Sequence, residues 1–187
     1  MKKLIYITMF TVFAIALPDT VTAQTFDQPD ASPLDIAMYR TPDKRALIRV
    51  IYSRPQVNDR KIFGELVPFG EVWRTGANES TEITLYKDMT VGGKTIKAGT
   101  YTLFTIPGEK EWTVILNKDV NTWGAFGYKE ERDIARITAP ARKTSATIQD
   151  FSITFQPAAN GADMLIGWDS TYVKIPFTTA PVPAEKS

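Results

Sequence analysis

Residues 81–116 read TEITLYKDMTVGGKTIKAGTYTLFTIPGEKEWTVIL. Thr81, Ile83 and Leu85 alternate with Glu82, Thr84 and Tyr86, the period of a strand with one buried face. Met89 to Val91, then Gly92-Gly93, then Lys94 to Ile96 predict a tight hairpin, since two glycines tolerate the positive φ that such a turn needs. Thr100 to Ile106 is dense in β-branched and aromatic residues and stops at the turn pair Pro107-Gly108. Glu111 to Leu116 then sets Trp112, Val114 and Leu116 on one face against Thr113 and Ile115 on the other. Successive strands joined by short turns can pair only antiparallel.

The same punctuation continues outward. Ala46 to Tyr52 reads as a strand before this block, and Ala135 to Ala139 as a weaker one after it. Phe151, Ile153 and Phe155 line one face of another strand, and Met164, Ile166 and Trp168 one face of the next. Asp169-Ser170 reads as a turn leading into Tyr172 to Phe177. No amphipathic run reaches the ~10–12 residues of a convincing helix; Lys129 to Ala135 fits one helical turn or two. About nine short strands of this kind predict an all-β protein, an antiparallel β-sandwich, with barrel-like closure as the alternative. Trp112 and Trp168 fall at regular strand positions and are expected in its core, whereas Trp123, Phe126 and Tyr128 lie in a glycine-containing loop.

At the N-terminus, Lys2 and Lys3 precede the apolar run Leu4 to Leu17, and Val21-Thr22-Ala23 supplies small residues for cleavage. That order of charge, apolar core and small residues is what export machinery reads, and the run is shorter than the ~20 residues of a membrane-spanning helix. Residues 1–23 are therefore expected to be a signal peptide cut after Ala23. Residues 24–44, with Pro29, Pro33 and Pro42, read as a loosely structured arm in which Leu34 to Tyr39 is able to pack on the core, 45–177 as a single β domain, and 178–187 as a disordered tail. The expected location is periplasmic or secreted.

The full chain holds 22 Lys and Arg against 21 Asp and Glu; Lys2, Lys3 and Asp19 belong to the leader, so the mature charge is balanced. A neutral chain without a basic run carries no electrostatic footprint for nucleic acid. Neither cysteine nor histidine occurs. Disulfides and lipid attachment at the cut are thereby excluded, so the chain is not a lipoprotein. So are Ser-His-Asp triads, Cys-His pairs, His/Cys zinc sites and histidine switches. Asn117-Lys118-Asp119-Val120-Asn121 begins like a calcium loop, but Thr122 and Tyr128 stand where it needs glycine and glutamate. No metal and no cofactor is expected.

The connection from Tyr52 to Thr81 is long for a compact domain. It is also too apolar for a solvated loop, carrying Ile62, Phe63, Leu66, Val67, Phe69, Val72 and Trp73, and its path is fixed by glycine and proline. It is therefore expected to pack on the core and to hold its arginines in set positions. Tyr52-Ser53-Arg54-Pro55, Arg60-Lys61-Ile62-Phe63-Gly64, Val67-Pro68, Gly70-Glu71-Val72-Trp73-Arg74-Thr75-Gly76-Ala77-Asn78-Glu79, the Val91-Gly92-Gly93-Lys94 hairpin, Ala98-Gly99-Thr100-Tyr101, Leu103-Phe104, Ile106-Pro107 and Trp123-Gly124 follow a long signature. It resembles the domain of unknown function 2911 family of exported bacterial proteins, from about Tyr52 to Phe177. Phe69 and Ser80 depart from it, standing where tyrosine and alanine are expected. The resemblance implies export and one domain and marks the Arg74 region as its hallmark; it implies no activity.

Arg54, Arg60 and Arg74 with Asn78 and Glu79 are candidates for gripping an anion or a sugar, because guanidinium forks bind carboxylate or phosphate and amides read hydroxyls. Trp73, Trp123 and Tyr128 are candidates for stacking on a ligand. The structural alternative is that Arg54 and Arg74 pair with Glu71 and Glu79 to pin the loop. The expected function is a binding module for a small anionic or saccharide ligand, or an envelope protein partner, through the 54–79 loop. The alternatives are a hydrolase using Glu79 or Glu71 with arginine support, with Glu71 and Glu79 or Glu79 and Glu82 as a glycosidase pair, and a purely structural envelope component. Asn78-Glu79-Ser80 also fits the glycosylation sequon.

Overall fold

A computed structural model of the chain describes residues 24–179; the expected signal peptide and most of the expected tail lie outside them. Ten strands form: β1 (Leu34–Arg40), β2 (Ala46–Ser53), β3 (Glu82–Leu85), β4 (Met89–Val91), β5 (Lys94–Ile96), β6 (Gly99–Ile106), β7 (Glu111–Asn117), β8 (Asp133–Pro140), β9 (Arg142–Ala158) and β10 (Gly161–Thr179). They build a six-stranded sheet in the order β1-β2-β3-β6-β7-β8 and a four-stranded sheet in the order β5-β4-β10-β9. All pairings between these strands are antiparallel. The two sheets pack face to face and do not close into a barrel, so the architecture is an antiparallel β-sandwich. Among the described residues, no helix is long and apolar enough to cross a membrane.

The strands formed where one face had to be buried. Ile48, Val50 and Tyr52 of β2, Ile83 and Leu85 of β3, and Trp112, Val114 and Leu116 of β7 face Ile166, Trp168, Val173 and Ile175 of β10 across the core. The hairpin at Gly92-Gly93 takes positive φ at both residues, 55° and 77°, the pattern that matches a tight turn to strand twist.

Three expectations are revised. Residues 34–40, read as part of a loose arm, are strand β1, paired with β2 from Leu34↔Ser53 to Arg40↔Ala46. Asp169-Ser170 does not turn the chain; β10 runs through it with two register shifts, and Asp169 takes φ 52°. The shifts place the extra residues on β9, between Ile148 and Ser152 and between Lys143 and Ile148, so β10 stays extended through Asp169. The first half of β9 is polar and mostly exposed, so it has no buried face to imprint an alternation, and β10 pairing alone defines it. The expected helical turn near residue 129 is a single 3₁₀ turn, Glu130–Arg132.

The long connection between β2 and β3 enters the sandwich. Val57, Ile62, Val67 and Trp73 are buried in the same core as the strands. Trp73 exchanges backbone hydrogen bonds with Thr105, at 2.8 and 3.0 Å, which lengthens the six-stranded sheet beside β6. Its indole stacks on Trp168 of the opposite sheet, with centroids 5.9 Å apart and planes at 13°. Phe151 meets it edge-on at 5.2 Å, and Phe63 lies 4.8 Å from Trp112. The Trp73 Nε1–H donates to the Gly76 carbonyl at 3.0 Å. With no disulfide to close the fold, this aromatic cluster fastens the loop to both sheets. Trp73→Ala is expected to cost about 3–5 kcal/mol in denaturant unfolding. Trp73→Phe, which keeps a ring and loses the Nε1–H, should cost less than the alanine change.

Candidate functional site

The arginines of the loop serve its framework. The Arg54 guanidinium donates to the Phe151 carbonyl at 3.1 Å, to Asp35 Oδ2 at 2.9 Å and to Ser152 Oγ at 2.9 Å. It thus ties β2 to the facing edges β1 and β9. Arg60 Nε donates to the Val57 carbonyl at 3.0 Å and its terminal nitrogen to the Gln56 carbonyl. Arg74 is half-buried, its Nε is buried without a partner among the described residues, and burial holds its guanidinium below its ordinary pKa. Neither Glu71 nor Glu79 pairs with Arg54 or Arg74; the ion-pair partner of Arg54 is Asp35. The arginines therefore do not form one open cluster.

Residues 73–81 form a tightly bonded turn. Trp73 points into the core, so Arg74 projects from the opposite face. Thr75 and Asn78 take left-handed backbone, φ 58° and 57°. The Thr75 hydroxyl bonds the Thr105 hydroxyl at 3.1 Å, and Thr81 Oγ1 donates to the Thr75 carbonyl at 2.6 Å. Gly76 is required by close approach: with φ 155°, a Cβ there would lie 3.0 Å from the Ser53 carbonyl oxygen.

This turn captures the 118–128 loop. Ser80 N–H donates to the Thr122 carbonyl at 2.9 Å, and Gly124 N–H donates to the Asn78 carbonyl at 3.1 Å. The Ser80 hydroxyl donates to the Gly124 carbonyl and accepts from Thr122 Oγ1. The two segments thus form an isolated antiparallel bridge with Glu79 opposite Trp123. Because the bonds flank this pair rather than join it, it is the closely spaced kind, with Cα atoms about 4.5 Å apart and side chains adjacent on one face. Trp123 is 61% exposed and stacks on Phe126, with centroids 5.9 Å apart and planes at 14°. Glu79 is exposed and makes no ion pair or side-chain hydrogen bond among the described residues.

Glu79 and Trp123 line a cleft of about 790 Å³. Its walls come from the 30–34 segment, the end of β2, the 78–82 segment and residues 121–123. Three carboxylates line it (Asp30, Glu79 and Glu82) with two amides, Asn78 and Asn121, and no lysine or arginine. Asn78 Nδ2 donates to Asp30 Oδ1 at 3.1 Å, and Asn121 N–H donates to Glu82 Oε1 at 2.7 Å. Among the described residues, no cluster of three or more acids could hold a metal ion. Asn117 and Asp119, the first residues of the calcium-like run, are engaged with Lys129, Asp133 and Arg132.

The structure therefore brings together Asn78, Glu79 and Trp123 and leaves the other candidates elsewhere. Trp73 is core, and Arg54 and Arg60 are bonded to backbone and to strand edges. Glu71 is exposed and does not line the cleft. Tyr128 donates to Asp133 Oδ2 at 2.7 Å and accepts from Arg136 at 2.8 Å. Burial, reinforced by the Asp133 bond, pushes its phenol up to about 12, and it braces the 118–132 loop. Glu82, named with Glu79 in the glycosidase alternative, lines the cleft; Asp30, Asn121 and Thr122 were missed and carry no signal in spacing.

Glu79→Gln should leave stability within about 0.5 kcal/mol of wild type, because the carboxylate is exposed and unpaired. Gly76→Ala should cost about 1–3 kcal/mol, because it strains the turn that holds the cleft. Thermal unfolding of both variants checks the contrast.

The match to known proteins falls on this same framework. Residues 32–177 match the family described as protein of unknown function (DUF2911). The matched span begins ahead of β1, so it takes in the strand that the resemblance from Tyr52 onward omits. No curated protein and no solved structure matches the chain. The sandwich, the inserted loop and the Glu79–Trp123 cleft are thus features of a chain that belongs to the DUF2911 family, proteins of unknown function.

Proposed function

We propose that this protein is an exported binding module that holds a neutral saccharide in the cleft beside Trp123. The carrying observation is the bridge that sets an exposed, unpaired carboxylate, Glu79, next to an exposed indole, Trp123. A sugar ring offers an apolar C–H face that packs on indole and hydroxyls that donate to carboxylates and exchange hydrogen bonds with amides. Asp30, Glu82, Asn78 and Asn121 add such partners around the same cleft. Its volume of about 790 Å³ suits a small ligand. Three carboxylates without a lining cation oppose an anionic ligand there, so the saccharide arm of the sequence-based expectation is retained and the anionic arm is not placed in this cleft. The apolar leader of residues 4–17 and the small-residue site before Gln24 support export.

The hydrolase alternative gains no specific support from this geometry. Glu71 lies outside the cleft lining, and Glu82 and Asp30 each accept hydrogen bonds from neighbouring groups.

A panel of neutral oligosaccharides, read by calorimetry on the mature chain, tests the proposal. Wild type should bind at least one member saturably. Trp123→Ala should weaken that binding by about 2 kcal/mol, roughly thirtyfold, and Glu71→Gln, at an exposed position outside the cleft, should leave it unchanged. No binding across the panel, or equal binding by Trp123→Ala, would sink the reading.

A further inference from the structure

The 60–69 part of the family signature contributes nothing to the Trp123 cleft. It builds a second cavity of about 790 Å³ in which Lys61, Phe63 and Phe69 meet Trp112 of β7, Lys143 of β9 and Asp169 of β10. Three features of this cavity lack an internal explanation. First, Trp112 is fully buried at its lining, and its Nε1–H has no acceptor among the described residues. A buried donor left unmade costs about 1–3 kcal/mol. Second, the cavity carries opposite charges that the protein does not neutralise. Lys143 Nζ bonds only the neutral Thr171 hydroxyl, at 3.1 Å. Asp169 makes no ion pair or side-chain hydrogen bond among the described residues, and the exposed Glu109 adds a second acid at the rim. Lys61, by contrast, is already paired with Glu65 at 2.9 Å. Third, Asp169 takes left-handed backbone, φ 52°, at the point where β9 inserts extra residues opposite it, and such a break in register re-aims side chains out of a regular ladder.

An apolar ring surface flanked by an unpaired cation and an unpaired anion suits a small zwitterion with an apolar body. We propose that this second cavity binds a free α-amino acid with an apolar side chain. Its carboxylate lies on Lys143 and accepts from the Trp112 Nε1–H, and its ammonium lies on Asp169. Its side chain packs against Phe63 and Phe69, over Trp112. A ligand carrying only one of the two charges leaves either Lys143 or Asp169 unmatched. A neutral saccharide meets neither, so this site and the Trp123 cleft stand or fall separately.

The four indole N–H resonances of the mature chain give the readout, with that of Trp112 assigned through Trp112→Phe, which keeps a ring in place. L-Phenylalanine is titrated against 3-phenylpropionate, which lacks the ammonium, and 2-phenylethylamine, which lacks the carboxylate. The Trp112 resonance should shift saturably with L-phenylalanine, and each one-charge analogue should bind about tenfold more weakly or worse. Lys143→Ala and Asp169→Asn should each weaken L-phenylalanine by a similar factor, with the melting temperature retained. A Trp112 resonance unmoved up to the solubility limit of L-phenylalanine would overturn the proposal. So would equal binding of either one-charge analogue, or wild-type affinity in Lys143→Ala.

Discussion

The stack of Trp73 on Trp168 is the contact on which the rest of this molecule depends. Trp73 belongs to a long connection and Trp168 to a central strand of the other sheet, so their contact fastens a segment with no regular structure to both halves of the sandwich. A chain without cysteine has no covalent means of doing this, and burial of large aromatic side chains is the strongest remaining one. Phe63, Trp112 and Phe151 complete the cluster. Arg54 works in the same sense at the sheet edges, where one guanidinium joins β2 to Asp35 of β1 and to Ser152 of β9.

Once Trp73 is fixed inward, the residues after it have little freedom. The chain must reverse between Trp73 and Thr81, and it does so through left-handed Thr75 and Asn78 and through Gly76, where a Cβ would crowd the Ser53 carbonyl. The reversal leaves the carbonyl of Asn78 and the N–H of Ser80 directed at the 122–124 backbone. Glu79, the residue between them, faces outward beside Trp123. A core contact thereby determines the geometry of a surface cleft, and the run from Thr75 to Ser80 serves as the joint between the two.

Much of the fold was legible because alternation records a buried face. β3 through β7 follow from residues 81–116 to within a residue or two. β1 was not legible: Leu34 and Ile36 are exposed while Ala37 and Tyr39 pack on the core, so apolar residues fall on both faces and leave no alternation. The first half of β9 is polar and mostly exposed and leaves none either. At the site, charge was a misleading guide. Arg54 and Arg60 stood out in the sequence but satisfy carbonyls and one carboxylate inside the framework. Asn78, Glu79 and Trp123 were each nameable from the sequence. Their meeting was not, because a bridge between residues 79 and 123 depends on backbone hydrogen bonds that leave no periodic trace.

The central claim is that the 78–80 segment and the 122–124 loop form one bonded unit that holds Glu79 beside Trp123. Amide hydrogen exchange at Ser80 and Gly124 tests it most directly, since these two N–H groups make the bridge. Both amides should be protected to an extent comparable to neighbouring β3 and β6. Exchange at Ser80 and Gly124 as fast as that of the exposed Gly127 amide would contradict it.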